Sequence, residues 1–127
     1  TPAKRWRATE LLVMDALNSD GFNLFDVSKA NLGYDLEGTS PSGQKIYMEV
    51  KSITMPGEKI RLTNNEVALS RELGDDYILA IAHTAQNGID IQLTRSPLNS
   101  MKVNRQCTQW IWEVESYEFN PKQYKFK

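Results

Sequence analysis

The chain has 127 residues, of which 40% are hydrophobic and 24% charged, so a single domain over residues 1–127 can bury a core without disulfide bonds. Its 15 Lys and Arg residues nearly balance 16 Asp and Glu residues, and the formal net charge is -1. This balance excludes bulk positive charge as a source of nucleic-acid affinity, so any DNA contact would need a local basic patch.

The first half of the chain predicts a helix followed by three strands. Residues 3–18 place apolar side chains on one side of an α-helix. Residues 23–28 alternate between apolar and polar side chains, which is typical of a short strand. Residues 34–39 and 45–52 alternate in the same way, and the Ser-Pro-Ser-Gly segment at residues 40–43 is typical of a turn. These two runs are therefore predicted to form a hairpin.

The second half of the chain predicts a second helix and further strands. Thr63 and Glu66 form a capping box at the start of a helix over residues 64–73. Residues 77–83 are a continuous apolar run of strand length, as in a strand buried on both faces, and residues 89–94 alternate as another strand. The remaining predicted elements are a short helix at residues 97–103 and a strand at residues 109–114. This order predicts an α/β fold with one mixed β-sheet flanked by helices.

The hairpin is predicted to have one charged face. If its turn centres on Ser42, Asp35 lies opposite Glu49, and directly opposite residues of an antiparallel pair share a face. Lys51 shares that face with Glu49, because side chains alternate along a strand. Three charged groups therefore converge. The other face is predicted to be an uncharged core face that consists of Tyr34, Leu36, Ile46, Met48 and Val50.

An ordinary amphipathic hairpin is the interpretation that the pattern alone favours. The polar face also carries Glu37, Lys45 and Tyr47. Glu10 favours a functional site instead, because it lies within the apolar stripe of the first helix and an inward carboxylate is costly unless it is paired or bound to metal. A partner such as Arg61 or Lys51 would satisfy Glu10 structurally. An acidic pocket shared with Asp35 and Glu49 is the functional alternative.

Two segments carry a resemblance to a known family. They read DVSKANLGYDL at residues 26–36 and IYMEVKS at residues 46–52. The chain resembles, over roughly residues 5–83, the domain family of unknown function named for the C-terminal region of the plant protein NO VEIN. That family looks like a branch of the PD-(D/E)xK nuclease superfamily. Further matching positions are Glu10 upstream and the segments LTNNE at 62–66 and RELGDDY at 71–77 downstream.

The resemblance implies a restriction-endonuclease-like core with a metal site. Asp35 and Glu49, with Val50, would bind Mg²⁺ or Mn²⁺; Lys51 would be the catalytic lysine and Glu10 an auxiliary acid. The implied activity is hydrolysis of DNA phosphodiester bonds in a restriction or phage-defence type system. Such modules are commonly attached to helicases or other ATPases. They often pair to cut both DNA strands, so a homodimer is a further expectation.

Two rival interpretations remain open. In one, the same fold is a non-catalytic module that binds nucleic acid or a partner, and the acidic pocket is satisfied by Lys51 and neighbouring donors. In the other, the domain is a scaffold for a fused ATPase. The near-neutral charge favours both rivals, whereas the intact set of Asp35, Glu49 and Lys51 favours the nuclease. Glu66 also matches the family, but the capping box explains it without function.

The remaining sequence features indicate structure and compartment. Cys107 has no partner for a disulfide, and no Cys/His cluster has the spacing of a zinc site, so we expect a reducing, cytoplasmic environment. No apolar run reaches the roughly 18 residues of a membrane span. His83, Trp110 and Trp112 are interpreted as structural. Because the sequence begins at Thr1 rather than at methionine, we expect it to be a module of a larger protein.

Overall fold

A computed structural model describes residues 2–30, 32–105 and 113–125, with side chains from residue 8 onward. The elements are α1 (Pro2–Ser19), β1 (Asn23–Asp26), β2 (Leu36–Thr39), β3 (Lys45–Ser52), α2 (Asn64–Leu73), β4 (Tyr77–Ala85), β5 (Gly88–Arg95) and α3 (Pro97–Ser100). Within that part of the chain, the strands form one five-stranded sheet in the order β1-β2-β3-β4-β5. Only the β3–β4 pair of this sheet is parallel. The predicted mixed sheet with flanking helices is therefore confirmed.

The two main helices lie on opposite faces of the sheet. The α1 helix contributes the buried residues Val13 and Leu17 to the apolar core. The strands contribute Leu24, Leu36, Ile46, Met48, Val50, Ile78, Ala80 and Ala82 to the same core. The α2 helix connects β3 to the parallel strand β4 and packs against β4. Since Glu66 of α2 contacts Lys51, α2 covers the face that bears the charged residues of β3.

The register of the β2–β3 hairpin agrees with the prediction. Leu36 pairs with Met48 and Thr39 pairs with Lys45, so the turn centres on Ser42. The turn is closed by backbone hydrogen bonds between Ser40 and Gln44 and between Gly43 and Ser40. Since Leu36, Ile46, Met48 and Val50 are all buried, the predicted apolar face of the hairpin is confirmed for these four residues.

Tyr34 was predicted for the core face, and that prediction is wrong. Its ring packs edge-on against Tyr47, with 5.1 Å between the ring centroids, and its hydroxyl donates a hydrogen bond of 3.2 Å to Glu37. Both partners lie on the charged face. The reason is that β2 begins only at Leu36. Tyr34 follows Gly33, whose φ of +90° turns the backbone, so strand alternation does not extend back to Tyr34.

Several predicted boundaries shift. The first strand ends at Asp26 instead of residue 28, because the Asp26 carboxylate accepts hydrogen bonds from the amide and the hydroxyl of Ser28 and starts a turn. The short helix after Ser96 ends at Ser100 instead of residue 103. The capping box of α2 is present as predicted.

The last predicted strand, at residues 109–114, is largely outside the described residues. Cys107, Trp110 and Trp112 also lie outside the described residues. Glu113 and Val114 are described and are not part of a strand. No helix in the described part of the chain combines the length and apolar character needed to cross a membrane.

Gly38 provides a test of how β1 and β2 pack. A side-chain Cβ at this position would collide with the backbone carbonyl of Asn23 on β1. We expect Gly38→Ala to lower the free energy of unfolding by roughly 3 kcal/mol or more, because the backbone of a neighbouring strand would have to move. Urea unfolding followed by circular dichroism measures this change.

The matched control is Gly43→Ala. Gly43 also has a positive φ, of +89°, but an added Cβ would meet nothing within 4 Å. This change should cost about 1 kcal/mol, which is the backbone strain alone. Equal losses for the two variants would contradict the close approach of β1 and β2.

Candidate active site

Asp35, Glu49 and Lys51 lie together on the face of the sheet that α2 covers. The Lys51 ammonium nitrogen is 3.7 Å from a carboxylate oxygen of Glu49. The Asp35 carboxylate accepts a hydrogen bond of 3.0 Å from the amide of Val50, the residue between Glu49 and Lys51. The Asp35 amide donates a bond of 2.9 Å to the Met48 carbonyl. Asp35 is therefore held beside β3 through both its backbone and its side chain.

Asp35, Glu49 and Lys51 form a charged cluster, and Glu66 of α2 is its fourth member. Its two carboxylate oxygens lie 2.9 Å and 3.2 Å from the Lys51 ammonium nitrogen. The same carboxylate accepts a bond of 2.9 Å from the amide of Thr63, as the capping box requires. The sequence interpretation that the capping box accounts for Glu66 is therefore incomplete. In the sequence, the match of Glu66 to the family was the signal for a role in the site, and its place in the first turn of α2 agrees with it.

Burial first, and then their mutual proximity, perturb the pKa values of the carboxyl groups in the cluster. Burial, and then the nearby charge of Asp35 and the hydrogen bond with Glu66, raise the pKa of Glu49 from 4.5 to about 10. Burial also raises the pKa of Asp35, despite the hydrogen bond from the Val50 amide. Burial works to raise the pKa of Glu66, but the hydrogen bonds from Glu49, Thr63 and Lys51 outweigh it and hold this pKa below its usual range. Glu49 is therefore protonated at neutral pH, and Glu66 is ionised.

Tyr77 lies beneath the cluster, on the same face of the sheet as Glu49. It is fully buried at the start of β4, and its hydroxyl donates a hydrogen bond of 3.4 Å to the Gly33 carbonyl. Burial, and then the charges of the three carboxyls, raise the pKa of this hydroxyl. Gly33 is itself packed so closely against α2 that an added Cβ would collide with the side chains of Leu69 and Asn65. The loop that carries Asp35 is thus anchored to both β4 and α2.

Two other predicted site residues, Glu10 and Val50, do not place their side chains with the carboxyl groups of the cluster: Glu10 lies on α1, and the Val50 side chain lies in the core. Glu10 is half-buried on α1, whose core residues Val13 and Leu17 pack against the opposite face of the sheet. Its role as an auxiliary acid stays a prediction. The Val50 side chain is buried in the apolar core, so only the backbone of Val50 can contribute to a site on the charged face.

The chemistry of the cluster is that of oxygen donors beside one cation. Three carboxyl groups face a single ammonium group, so the cluster carries an excess of potential negative charge. Hard divalent cations prefer such oxygen donors. In residues 2–30, 32–105 and 113–125, no group of three or more His, Cys, Asp or Glu side chains is arranged to hold a metal ion. A site here would therefore rest on two carboxylates and backbone oxygen.

Comparison with known families identifies the family of the region that contains this cluster. A family model described as Protein NO VEIN, C-terminal matches residues 9–95, which is more than half of the chain. The chain belongs to this family. The matched NO VEIN C-terminal region runs from α1 to the end of β5 and contains every residue of the cluster. No curated protein and no solved structure matches the chain.

The protonated state of Glu49 predicts a pH dependence of stability for the metal-free protein. A carboxyl whose pKa is raised on folding stabilises the fold fully below its ordinary pKa of 4.5, and this stability is lost as the pH rises towards about 10. We expect the free energy of unfolding to fall between about pH 5 and about pH 9, and Glu49→Gln to flatten this slope. Urea unfolding at a series of pH values, with a chelator present, provides the measurement.

Glu37→Gln is the matched control, because Glu37 is a half-buried carboxylate on the same face of the sheet. A change of slope that Glu49→Gln shows and Glu37→Gln does not show is specific to the cluster. If Glu49→Gln and the parent protein have the same pH dependence, Glu49 is not held in the protonated state.

Proposed function

We propose that this domain is a metal-dependent nuclease that hydrolyses DNA phosphodiester bonds, with a core of the restriction-endonuclease type. The observation that carries the proposal is the convergence of Asp35, Glu49 and Lys51 around the Val50 backbone. A hairpin with a merely solvated polar face would not bury Glu49 to 7% exposure beside a second carboxyl. Burial of two carboxyl groups side by side is costly and raises the pKa of Glu49, so the arrangement favours a functional reason for it.

The donor set fits Mg²⁺ or Mn²⁺. Asp35 and Glu49 would supply carboxylate oxygens, Glu49 after losing its proton to the solvent as the cation binds, and Val50 would supply a backbone carbonyl as the third donor. Mg²⁺ is commonly bound by one or two carboxylates and keeps several waters, so two carboxylates are sufficient for an open site. The cluster has more carboxyl groups than ammonium groups, and a divalent cation would neutralise the resulting negative charge.

The protein groups around the phosphate would have separate roles. A bound divalent ion supplies a water of lowered pKa and neutralises charge on the phosphate oxygens. Lys51, close to Glu49, is placed to orient the attacking water or to stabilise the charge that develops in the transition state. Glu66 acts as a positioning residue, because its two short contacts hold the lysine ammonium in place. Tyr77 and the anchored loop at Gly33 keep Asp35 in a fixed position.

The biological setting is part of the same proposal. We assign the domain to a restriction or phage-defence type system, attached to or associated with a helicase or another ATPase, and acting as a homodimer where both strands are cut. Because the net charge of -1 provides no bulk positive charge, this setting requires a local basic patch or an associated protein to hold the DNA.

The activity is tested by cleavage of plasmid and single-stranded DNA with Mg²⁺ or Mn²⁺. We expect Lys51→Met to lower the cleavage rate by about a hundredfold or more, because it removes the ammonium group and keeps the aliphatic chain. Lys45→Met is the matched control, since it removes the same charge from an exposed position on the same strand and face. Cleavage that both variants retain, or that all proteins lack, would contradict a nuclease centred on Lys51.

Metal binding is tested separately by isothermal titration calorimetry with Mn²⁺. Asp35→Asn should weaken binding by about tenfold or more, because it removes a charged oxygen donor and keeps the shape of the side chain. Asp76→Asn is the control, since Asp76 is a partly buried aspartate that accepts a bond from Gln44 outside the cluster. Absence of Mn²⁺ binding by the parent protein would favour the alternative of a non-catalytic binding module, in which Lys51 and neighbouring donors satisfy the carboxyl groups.

A further inference from the structure

An open groove continues the candidate active site along the same face of the sheet. Ile53 is two residues beyond Lys51, and Ile81 is the residue of β4 that pairs with Lys51. His83 follows Ile81 by two residues, and Gln92 of β5 pairs with Ile81. Since alternate residues of a strand share a face, the groove lies on the face that bears Lys51. We call it the distal groove; it is lined by Ile53, Ile81, His83, Asp90, Gln92 and Met101.

The distal groove has the size of a small-molecule site. Its volume is about 500 Å³, and ligand pockets usually enclose about 300 to 1,000 Å³. The connection between β3 and α2 contributes Pro56, Gly57 and Glu58 to one wall, and Met101 after α3 contributes to another. Two residues along a strand span about 7 Å, and the lining residue Ile53 follows Lys51 by two residues, so the groove begins close to Lys51.

The lining of the distal groove selects against phosphate. None of the described residues that line it is Lys or Arg, whereas Glu58 and Asp90 are acidic. Isoleucine and methionine side chains provide apolar surface for a flat ring. His83, whose Nδ1 atom is 3.7 Å from a carboxylate oxygen of Asp90, and Gln92 provide polar groups at the other side. Carboxylates accept hydrogen bonds from amino groups, as from the exocyclic amino group of cytosine.

We infer that the distal groove binds an unstacked nucleobase that carries an exocyclic amino group, next to the phosphate held at Asp35, Glu49 and Lys51. This inference rests on the proposed nuclease function. It assigns to the protein a base-binding site in addition to the charged cluster of Asp35, Glu49, Lys51 and Glu66. A base bound here must leave the stack, as bases do when proteins read them by their edges in a pocket. Single-stranded or locally opened DNA is therefore the substrate form that fits.

The groove is tested by nuclear magnetic resonance titration of the ¹⁵N-labelled chain with Mg²⁺ present. The probes are deoxycytidine 5′-monophosphate, thymidine 5′-monophosphate and deoxyribose 5-phosphate. We expect the cytosine nucleotide to shift the amide signals of Ile53, His83 and Gln92, and the base-free sugar phosphate to leave them unchanged. Thymidine 5′-monophosphate should bind about tenfold more weakly, because thymine has no exocyclic amino group.

Two variants make the test specific to the groove. Gln92→Trp, at an exposed position of β5, fills the groove and should weaken binding of the cytosine nucleotide by about tenfold. Gln86→Trp adds the same side chain in the turn between β4 and β5 and should leave binding unchanged. Asp90→Ala, where the aspartate side chain is 82% exposed, should reduce the preference for cytosine over thymine without affecting folding.

The inference is overturned if the nucleotides and the base-free sugar phosphate shift the same signals, or if Gln92→Trp binds the cytosine nucleotide as the parent protein does. These outcomes are independent of cleavage, since mononucleotides contain no bond between nucleotides to cut. Base binding in the groove by a protein that cuts no DNA would uphold the groove and count against the nuclease. Cleavage that depends on Lys51, with no base binding, would do the reverse.

Discussion

The alternation of side chains along β3 is the constraint on which the rest of this structure depends. β3 lies at the centre of the sheet and directs Ile46, Met48 and Val50 into the core on one face. Glu49 and Lys51 consequently point to the other face. A shift of register by one residue would place these charged groups in the apolar core, at a large cost in desolvation free energy. The packing that holds the sheet together therefore also positions the charged cluster.

The α2 helix supplies the residue of the charged cluster that does not come from the hairpin. The parallel pairing of β3 and β4 requires a crossover, and this crossover places the N-terminus of α2 above Lys51. The Glu66 carboxylate accepts a hydrogen bond from the Thr63 amide at the start of α2 and also contacts Lys51. One side chain thus links helix capping to the charge balance of the cluster. Because Glu66 is ionised while Glu49 is protonated, the lysine is neutralised without two adjacent buried anions.

The cluster and the distal groove come from different parts of the chain. The cluster is built from the hairpin and from the first turn of α2, whereas the groove is built from the crossover connection, β4, β5 and the residue after α3. The pairing of Lys51 with Ile81 is what joins them. Under the proposed function, the cluster would bind a phosphate only through Lys51 and a divalent cation, whereas the groove, whose described lining residues include no Lys or Arg, would accept a neutral base.

The sequence by itself was sufficient for the local features of this protein. Periodicity and capping residues predicted α1, α2 and the strands, and the turn centre at Ser42 predicted that Asp35 and Glu49 face each other. These features depend on contacts between residues close in sequence, or on an alternation that a buried face enforces. The ends of elements were less accurate, because turns such as that at Asp26 and the backbone reversal at Gly33 interrupt the alternation.

Only the tertiary structure decided which distant residues join the site. The contact of Glu66 with Lys51 depends on where the crossover places α2, and the position of Tyr77 beneath the cluster depends on β4 pairing in parallel with β3. The distal groove likewise exists because β5 aligns Gln92 with Ile81. The physical reason is that these approaches are set by the packing of whole elements, whose relative positions are not contained in the periodicity of any one segment.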